Sequence, residues 1–154
     1  MRRLLLVLLP LGACSDPADL PPAEALERVV EMTCNQAHDC RASFPLGEQF
    51  FTQIFGASVE ACIPLLRDEF RFEATLAAID AGRILYDGAD ASACLEWASE
   101  RTCDELWNGS DETEPTSCQN AFVGTVAEGG TCAVDMECSG DLGCDDADLV
   151  CAPQ

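Results

Sequence analysis

No lysine occurs anywhere in this 154-residue chain, and eight arginines face 28 aspartates and glutamates, a formal net charge of −20 at pH 7. A surface so poor in cations repels phosphate backbones and anionic lipid headgroups. That excludes nucleic-acid binding by counterion release and membrane attachment through basic patches. Histidine is equally scarce: His38 is the only one. A Ser-His or Cys-His catalytic pair would have to use it, and no G-x-S-x-G elbow accompanies it. The cysteines include no C-x-x-C pair and stand six or more positions apart, which argues against a zinc site. No apolar run reaches the ~20 residues needed to span a bilayer.

What is present begins with Arg2 and Arg3, a leucine-rich run from Leu4 to Leu11, and Gly12-Ala13-Cys14. A charged start, a short apolar segment and a small-residue cleavage site are the layout of an export signal. With cysteine directly after the small pair, the stretch reads as a bacterial lipobox. The expectation is a lipoprotein signal peptide over 1–13, cleavage before Cys14, and acylation of Cys14. The acyl chains would then hold the protein on a membrane. The mature net charge would be 6 minus 28, or −22, with two of the eight arginines removed. Ser15, rather than aspartate, after the acylated cysteine is compatible with transport to the outer membrane. Localisation in a bacterial cell envelope is therefore expected, with the periplasmic or surface face left open.

Eleven cysteines are an odd number, but acylation of Cys14 leaves ten. In an oxidising compartment Cys34, Cys40, Cys62, Cys94, Cys103, Cys118, Cys132, Cys138, Cys144 and Cys151 read as five disulfides. On one straight helix Cys94 and Cys103 would lie about 13 Å apart along the axis and could not join. Cys34 and Cys40 could join only where a helix ends between them. Among three local pairings in the tail, the near-regular spacing suggests first with third and second with fourth.

Residues 14–22 read as a lipidated, proline-rich tether. A helix should open near Pro22, with Leu26, Val29, Val30, Cys34 and Ala37 on its apolar side. Phe50, Phe51, Ile54 and Phe55 fit a short helix stopped by Gly56, and Ser58 can cap another carrying Cys62, Leu65, Leu66 and Phe70. Pro64 should kink or divide that helix. Phe72, Leu76 and Ile79 continue to Gly82, a left-handed cap, and a further helix opens after Asp87 or Asp90 with Cys94, Leu95 and Ala98 inward. Residues 23–107 are thus expected to form a bundle of four or five helices. Residues 108–117 read as a linker, and 118–154 as a cysteine-rich module. Its candidate strands are Phe122 to Val126, Leu142 to Cys144 and Leu149 to Ala152, the last two turned by Asp145 to Asp148. The fold class is mainly α: a small disulfide-linked helical bundle followed by a small disulfide-rich tail containing a β-hairpin.

Other constellations have ordinary readings beside the functional one. His38 is expected at a helix end, favoured by local acids. Trp97 and Trp107, ten positions apart, would point about 80° away from each other on one helix, which suits core packing better than a glycan platform. Asp135, Glu137, Asp141, Asp145, Asp146 and Asp148 crowd the tail and could offer oxygens to calcium, but the EF-hand frame is missing. With 28 acids, paired carboxylates for sugar cleavage are an arithmetical opportunity rather than a motif.

The tail residues Gly124-Thr125-Val126-Ala127-Glu128-Gly129-Gly130-Thr131-Cys132, Asp135-Met136-Glu137-Cys138, Gly143-Cys144 and Cys151 resemble the Dickkopf N-terminal cysteine-rich pattern. Gly82-Arg83-Ile84-Leu85-Tyr86-Asp87 and Ala91-Ser92-Ala93-Cys94-Leu95 are similar to segments of myxobacterial-type cysteine-rich lipoproteins that carry such tails. The resemblance implies a cross-linked scaffold and an envelope location, not a mechanism. The expectation is a non-catalytic envelope lipoprotein and interaction module, with no cofactor, no metal and no nucleic acid. Its partners would be the membrane, through the acyl chains, and a protein at the envelope. The alternatives are an envelope hydrolase using paired carboxylates and a calcium-dependent surface adhesion protein.

Overall fold

The computed structural model describes residues 19–109, 114–145 and 147–154; Cys14 and the signal expected over 1–13 lie outside them. The described residues form seven α-helices and two two-stranded antiparallel sheets, a mainly α architecture ending in a disulfide-rich tail.

Helix α1 (Pro22–Asp39) opens with proline in its first turn, where a missing N–H costs nothing, and carries Glu24 near the positive end of the dipole and His38 near the negative end. Ala25, Leu26, Val30, Cys34 and Ala37 form its buried stripe. Helix α2 (Glu48–Phe55) stops at Gly56, whose φ of 73° suits glycine. The side chain of Ser58 caps α3 (Val59–Glu69) by accepting from Ala61 N at 3.3 Å.

Pro64 does not divide α3. The carbonyl it leaves without a partner belongs to Glu60, and both residues are exposed, so water replaces the missing bond. Helix α4 (Phe72–Asp80) ends in a Schellman arrangement: Gly82 at φ 70° donates to Ile79 O and Arg83 N donates to Ala78 O, each at 2.9 Å.

The segment after that cap was not expected to be a strand. Ile84–Tyr86 forms β1 and pairs antiparallel with β2 (Phe122–Gly124), with Ile84 opposite Gly124 and Tyr86 opposite Phe122. Asp87 then caps α5 (Gly88–Ser99) by accepting from Asp90 N at 2.9 Å. The chain breaks at Glu100–Thr102 before α6 (Cys103–Asn108), so residues 22–108 hold six helices rather than four or five. The break has a local cause. Thr102 accepts from Glu105 N while a Glu105 carboxylate oxygen accepts from Thr102 N, a reciprocal capping box.

Helix α7 (Thr116–Ala121) lies against α5 and is tied to it by Cys94–Cys118, with Cα atoms 4.7 Å apart. Residues 118–124 therefore belong physically to the helical body, because β2 completes the sheet begun by β1. Beyond them, β3 (Leu142–Cys144) and β4 (Cys151–Pro153) form the hairpin, with Cys144 opposite Cys151. The end of the expected tether is also part of the fold. Leu20 is buried, donates its N–H to Gly88 O at 3.4 Å, and its carbonyl accepts from the Tyr86 hydroxyl.

Among the described residues the core is divided into four small clusters. Leu20, Ala25, Ala91 and Ala121 form one; Val30, Cys34, Cys62 and Leu66 a second; Ala78, Ile84 and Val134 a third; and the four tail cysteines the last. Cross-links supplement these modest clusters, each bridge stabilising by ~2–4 kcal/mol. Cys34–Cys62 joins α1 to α3, and Cys40–Cys103 joins the end of α1 to the start of α6. In the tail Cys132–Cys144 and Cys138–Cys151 interlace, first with third and second with fourth.

Candidate binding surfaces

Between Ser43 and Val59 the sequence holds a single charged residue, Glu48, and Arg41 engages it in an ion pair. The inner side of this charge-poor segment is fixed by aromatic packing. Phe51 is fully buried, with the Phe44, Phe55 and His38 rings at centroid distances of 5.5, 5.1 and 5.1 Å. Trp107 of α6 closes the cluster 5.1 Å from Phe44, and its indole N–H donates to Cys40 O at 3.1 Å. His38 Nε2 lies 3.2 Å from Phe55 O, so this histidine is a packing and hydrogen-bonding residue of the α1–α2 junction.

The outer side of the same segment has no such cover. Phe50 and Ile54, four apart on α2, are 54% and 45% exposed, and Leu46 in the preceding turn is 62% exposed. The four apolar residues expected on this short helix thus divide, with Phe51 and Phe55 inward and Phe50 and Ile54 outward. An eight-residue helix buries one stripe, and Phe51 with Phe55 occupies it. Exposed Gln49, Gln53 and Ala57 are uncharged neighbours in the same segment, and Glu48, paired with Arg41, is its one charge.

A second feature lies inside the helical body. An elongated cavity of about 300 Å³ runs between α1, α5 and α7, with Leu26, Val29, Met32, Leu95, Trp97 and Leu106 among its lining. Its polar end holds Gln36, which donates to Ala98 O at 2.7 Å, and Arg101, whose guanidinium stacks 5.2 Å from the Trp97 ring centroid. The two tryptophans thus sit on different helices with different tasks: Trp107 in the aromatic cluster, Trp97 at the cavity.

The tail acids are engaged one at a time. Asp135 Oδ1 accepts from Cys144 N at 2.7 Å. Asp145 Oδ1 accepts from Ala147 N and Asp148 N at 2.8 and 3.0 Å, and the Asp148 and Ala147 amides hold its carboxyl below the usual range. Buried Glu137 pairs with Arg83 and accepts from Ala133 N at 3.1 Å. Asp141 and Asp148 are exposed, and Asp146 lies outside the described residues. Among the described residues, the one gathering of three possible metal-ligating atoms is Cys132, Cys138 and Cys151, all of them in disulfides.

The Arg83–Glu137 pair was not singled out from the sequence. Its signal was faint: an arginine directly after a glycine cap, and an acid one position before a cysteine. The segments quoted for the family resemblance prove to be structural. Gly82 caps α4, Arg83 holds Glu137, Ile84 is buried, Tyr86 anchors Leu20 and Asp87 caps α5. No family model matches this chain, and neither does any curated protein or solved structure.

Proposed function

We propose that this chain is a non-catalytic interaction module of the bacterial cell envelope, held to a membrane by acyl chains on Cys14, that docks a protein partner on the outer face of α2. The observation that carries the reading is the uncharged stripe of Leu46, Phe50 and Ile54 on a molecule of net charge −20. Interface centres are depleted in charge and enriched in aromatic residues, and this stripe is held rigidly by the aromatic cluster and Cys40–Cys103. The surrounding acidity selects the occupant. Two mature copies, each at 6 minus 28 or −22, repel each other, as does an anionic bilayer, so the complementary partner is a protein with an apolar pocket rimmed by arginine or lysine. No described helix is long and apolar enough to cross a membrane, which leaves attachment to Cys14 in this reading.

The hydrolase and calcium readings draw less support, since Asp135, Glu137 and Asp145 direct oxygens at backbone amides rather than toward a shared centre. The test is a photo-crosslinking residue placed at Phe50 in the native host, with Glu73 as the control position. One salt-sensitive adduct with a basic protein, lost on Ile54→Asp, is expected. Identical adducts from both positions, an adduct of twice the chain mass, or none at all would defeat the proposal.

A further inference from the structure

The cavity between α1, α5 and α7 is independent of the α2 face. We infer that it is a binding site for a single-chain amphiphile with a carboxylate head, such as a medium-chain fatty acid. Its lining follows α1 from Ala25 to Gln36, eleven positions or about 16 Å of helix rise, so the space is a slot rather than a bowl. At about 300 Å³ it stands at the lower end of ligand-pocket sizes, which begin near ~300 Å³, and its walls are apolar as such pockets require. Met32 and Met136 add side chains that adapt to a chain of variable shape.

The slot is preformed. Ala25, Ala91 and Ala121 let α1, α5 and α7 meet at one end, where with Leu20 they form a buried cluster, and the helices are pinned beyond it. Cys94–Cys118 fixes α5 to α7 in the wall, Gln36 bridges α1 to Ala98 of α5, and Cys40–Cys103 fixes the far end of α1. Space held open in this way does not have to be created by the ligand, which lowers the cost of entry.

Arg101 sets the head group. Among the described residues Arg28, Arg41, Arg67 and Arg83 each pair with a glutamate; Arg71 and Arg101 do not, and of these two Arg101 lines the cavity, donating to the Glu105 backbone carbonyl and stacking on Trp97. Its remaining N–H groups form a fork suited to a carboxylate. Glu114 shares the cavity lining, and Glu100 and Glu105 flank Arg101 outside it, so these acids oppose a doubly charged phosphate more strongly than a single carboxylate. A long chain with one negative charge satisfies both the walls and the mouth.

Calorimetric titration of the folded, disulfide-intact protein with decanoate and with decanol tests this, with Trp97 emission as the positional readout. Decanoate should bind one to one, about five- to tenfold more tightly than decanol, as a partly exposed charge-assisted contact of ~1 kcal/mol implies. Arg101→Gln should bring decanoate down to the affinity of decanol and leave decanol unchanged. Ala98→Met should weaken both, and Phe50→Ser should weaken neither. The emission change should vanish in Trp97→Phe while heat is still released. Absence of binding by either probe overturns the inference, as does equal affinity for both, indifference to Arg101→Gln, or loss of binding in Phe50→Ser.

Discussion

Replacing Glu137 should loosen the join between the cysteine-rich tail and the helical body. Glu137 is 2% exposed, and its carboxylate takes both the Arg83 guanidinium and the Ala133 amide. The same Arg83 Nη2 also donates to Thr131 O, so one cation links the end of α4 to two points of the tail. A fully buried pair broken on one side costs ~3–5 kcal/mol, and a single hydrogen bond to a charged group contributes ~1.5–3 kcal/mol. The Arg83 side chain is 37% exposed and can regain water, so the lower part of that range applies. For Glu137→Met we expect about 2–3 kcal/mol, a large fraction of a total of ~5–15 kcal/mol. Urea denaturation with the bridges intact should show the midpoint falling by about 1 M or more at an unchanged slope. The decisive comparison is the cycle with Arg83→Met. Removing both partners leaves no orphaned charge, so the double variant should be less destabilised than the sum of the singles. Additive losses, or a Glu137→Met cost below about 0.5 kcal/mol, would refute the assignment of this pair as the clamp.

Loop length ranks the bridges. Cys40–Cys103 closes a separation of 63 residues and Cys132–Cys144 one of 12, which gives about 4 and about 3 kcal/mol in the chain-entropy account. Thermal unfolding of the two paired Cys→Ala variants should show the larger fall for the first, and the reverse order would count against that account. A Cβ at Gly124 would overlap the Cys138 carbonyl, so Gly124→Ala should cost ~1–3 kcal/mol and speed hydrogen exchange at the Val126 amide, which donates to Glu137 O at 2.9 Å. Unaltered exchange there would show that the backbones do not meet as described. Tyr86 is the only tyrosine, and burial, then Asp19, Asp87 and Glu24, push its hydroxyl up to about 12. Because the folded value lies above the ordinary 10, its contribution is complete below pH ~10 and is lost as pH rises through about 12. Spectrophotometric titration of the phenolate should give a midpoint well above that of free tyrosine, and a midpoint near 10 would remove Leu20 from the fold's edge.

Helix positions were legible wherever a cap and an apolar stripe coincided. Pro22, Gly56, Ser58, Gly82 and Asp87 all act at helix ends, because caps are local chemistry set by one or two neighbours. The hairpin of β3 and β4 was legible for the same reason: its turn lies within a few residues of both strands. Strand β1 was not, since three residues carry no period and the partner Phe122–Gly124 lies 38 positions downstream. The break between α5 and α6 is encoded by the capping box Thr102-x-x-Glu105, a local signal to which the apolar spacing of Cys94, Leu95 and Ala98 is blind. Exposure on α2 was beyond pattern reading, because four large apolar residues in six positions cannot say which of them find partners. Only the placement of Phe44 and Trp107 decides that Phe51 and Phe55 are covered.

The two candidate surfaces and the division of the core follow from one constraint. A chain at net charge −20 repels itself when compact, and among the described residues no apolar cluster holds more than four buried residues. Packing alone would leave such small clusters free to slide, narrowing the slot and letting α2 turn its apolar face inward. The three bridges of the helical body act at the places where this would happen. Cys34–Cys62 sets α3, which supports α2; Cys40–Cys103 sets the floor under the aromatic cluster; Cys94–Cys118 sets the slot wall. Cross-linking therefore does more than offset charge repulsion. It keeps apolar surface unburied, and apolar surface that a folded chain is prevented from burying is what a partner or an alkyl chain can use.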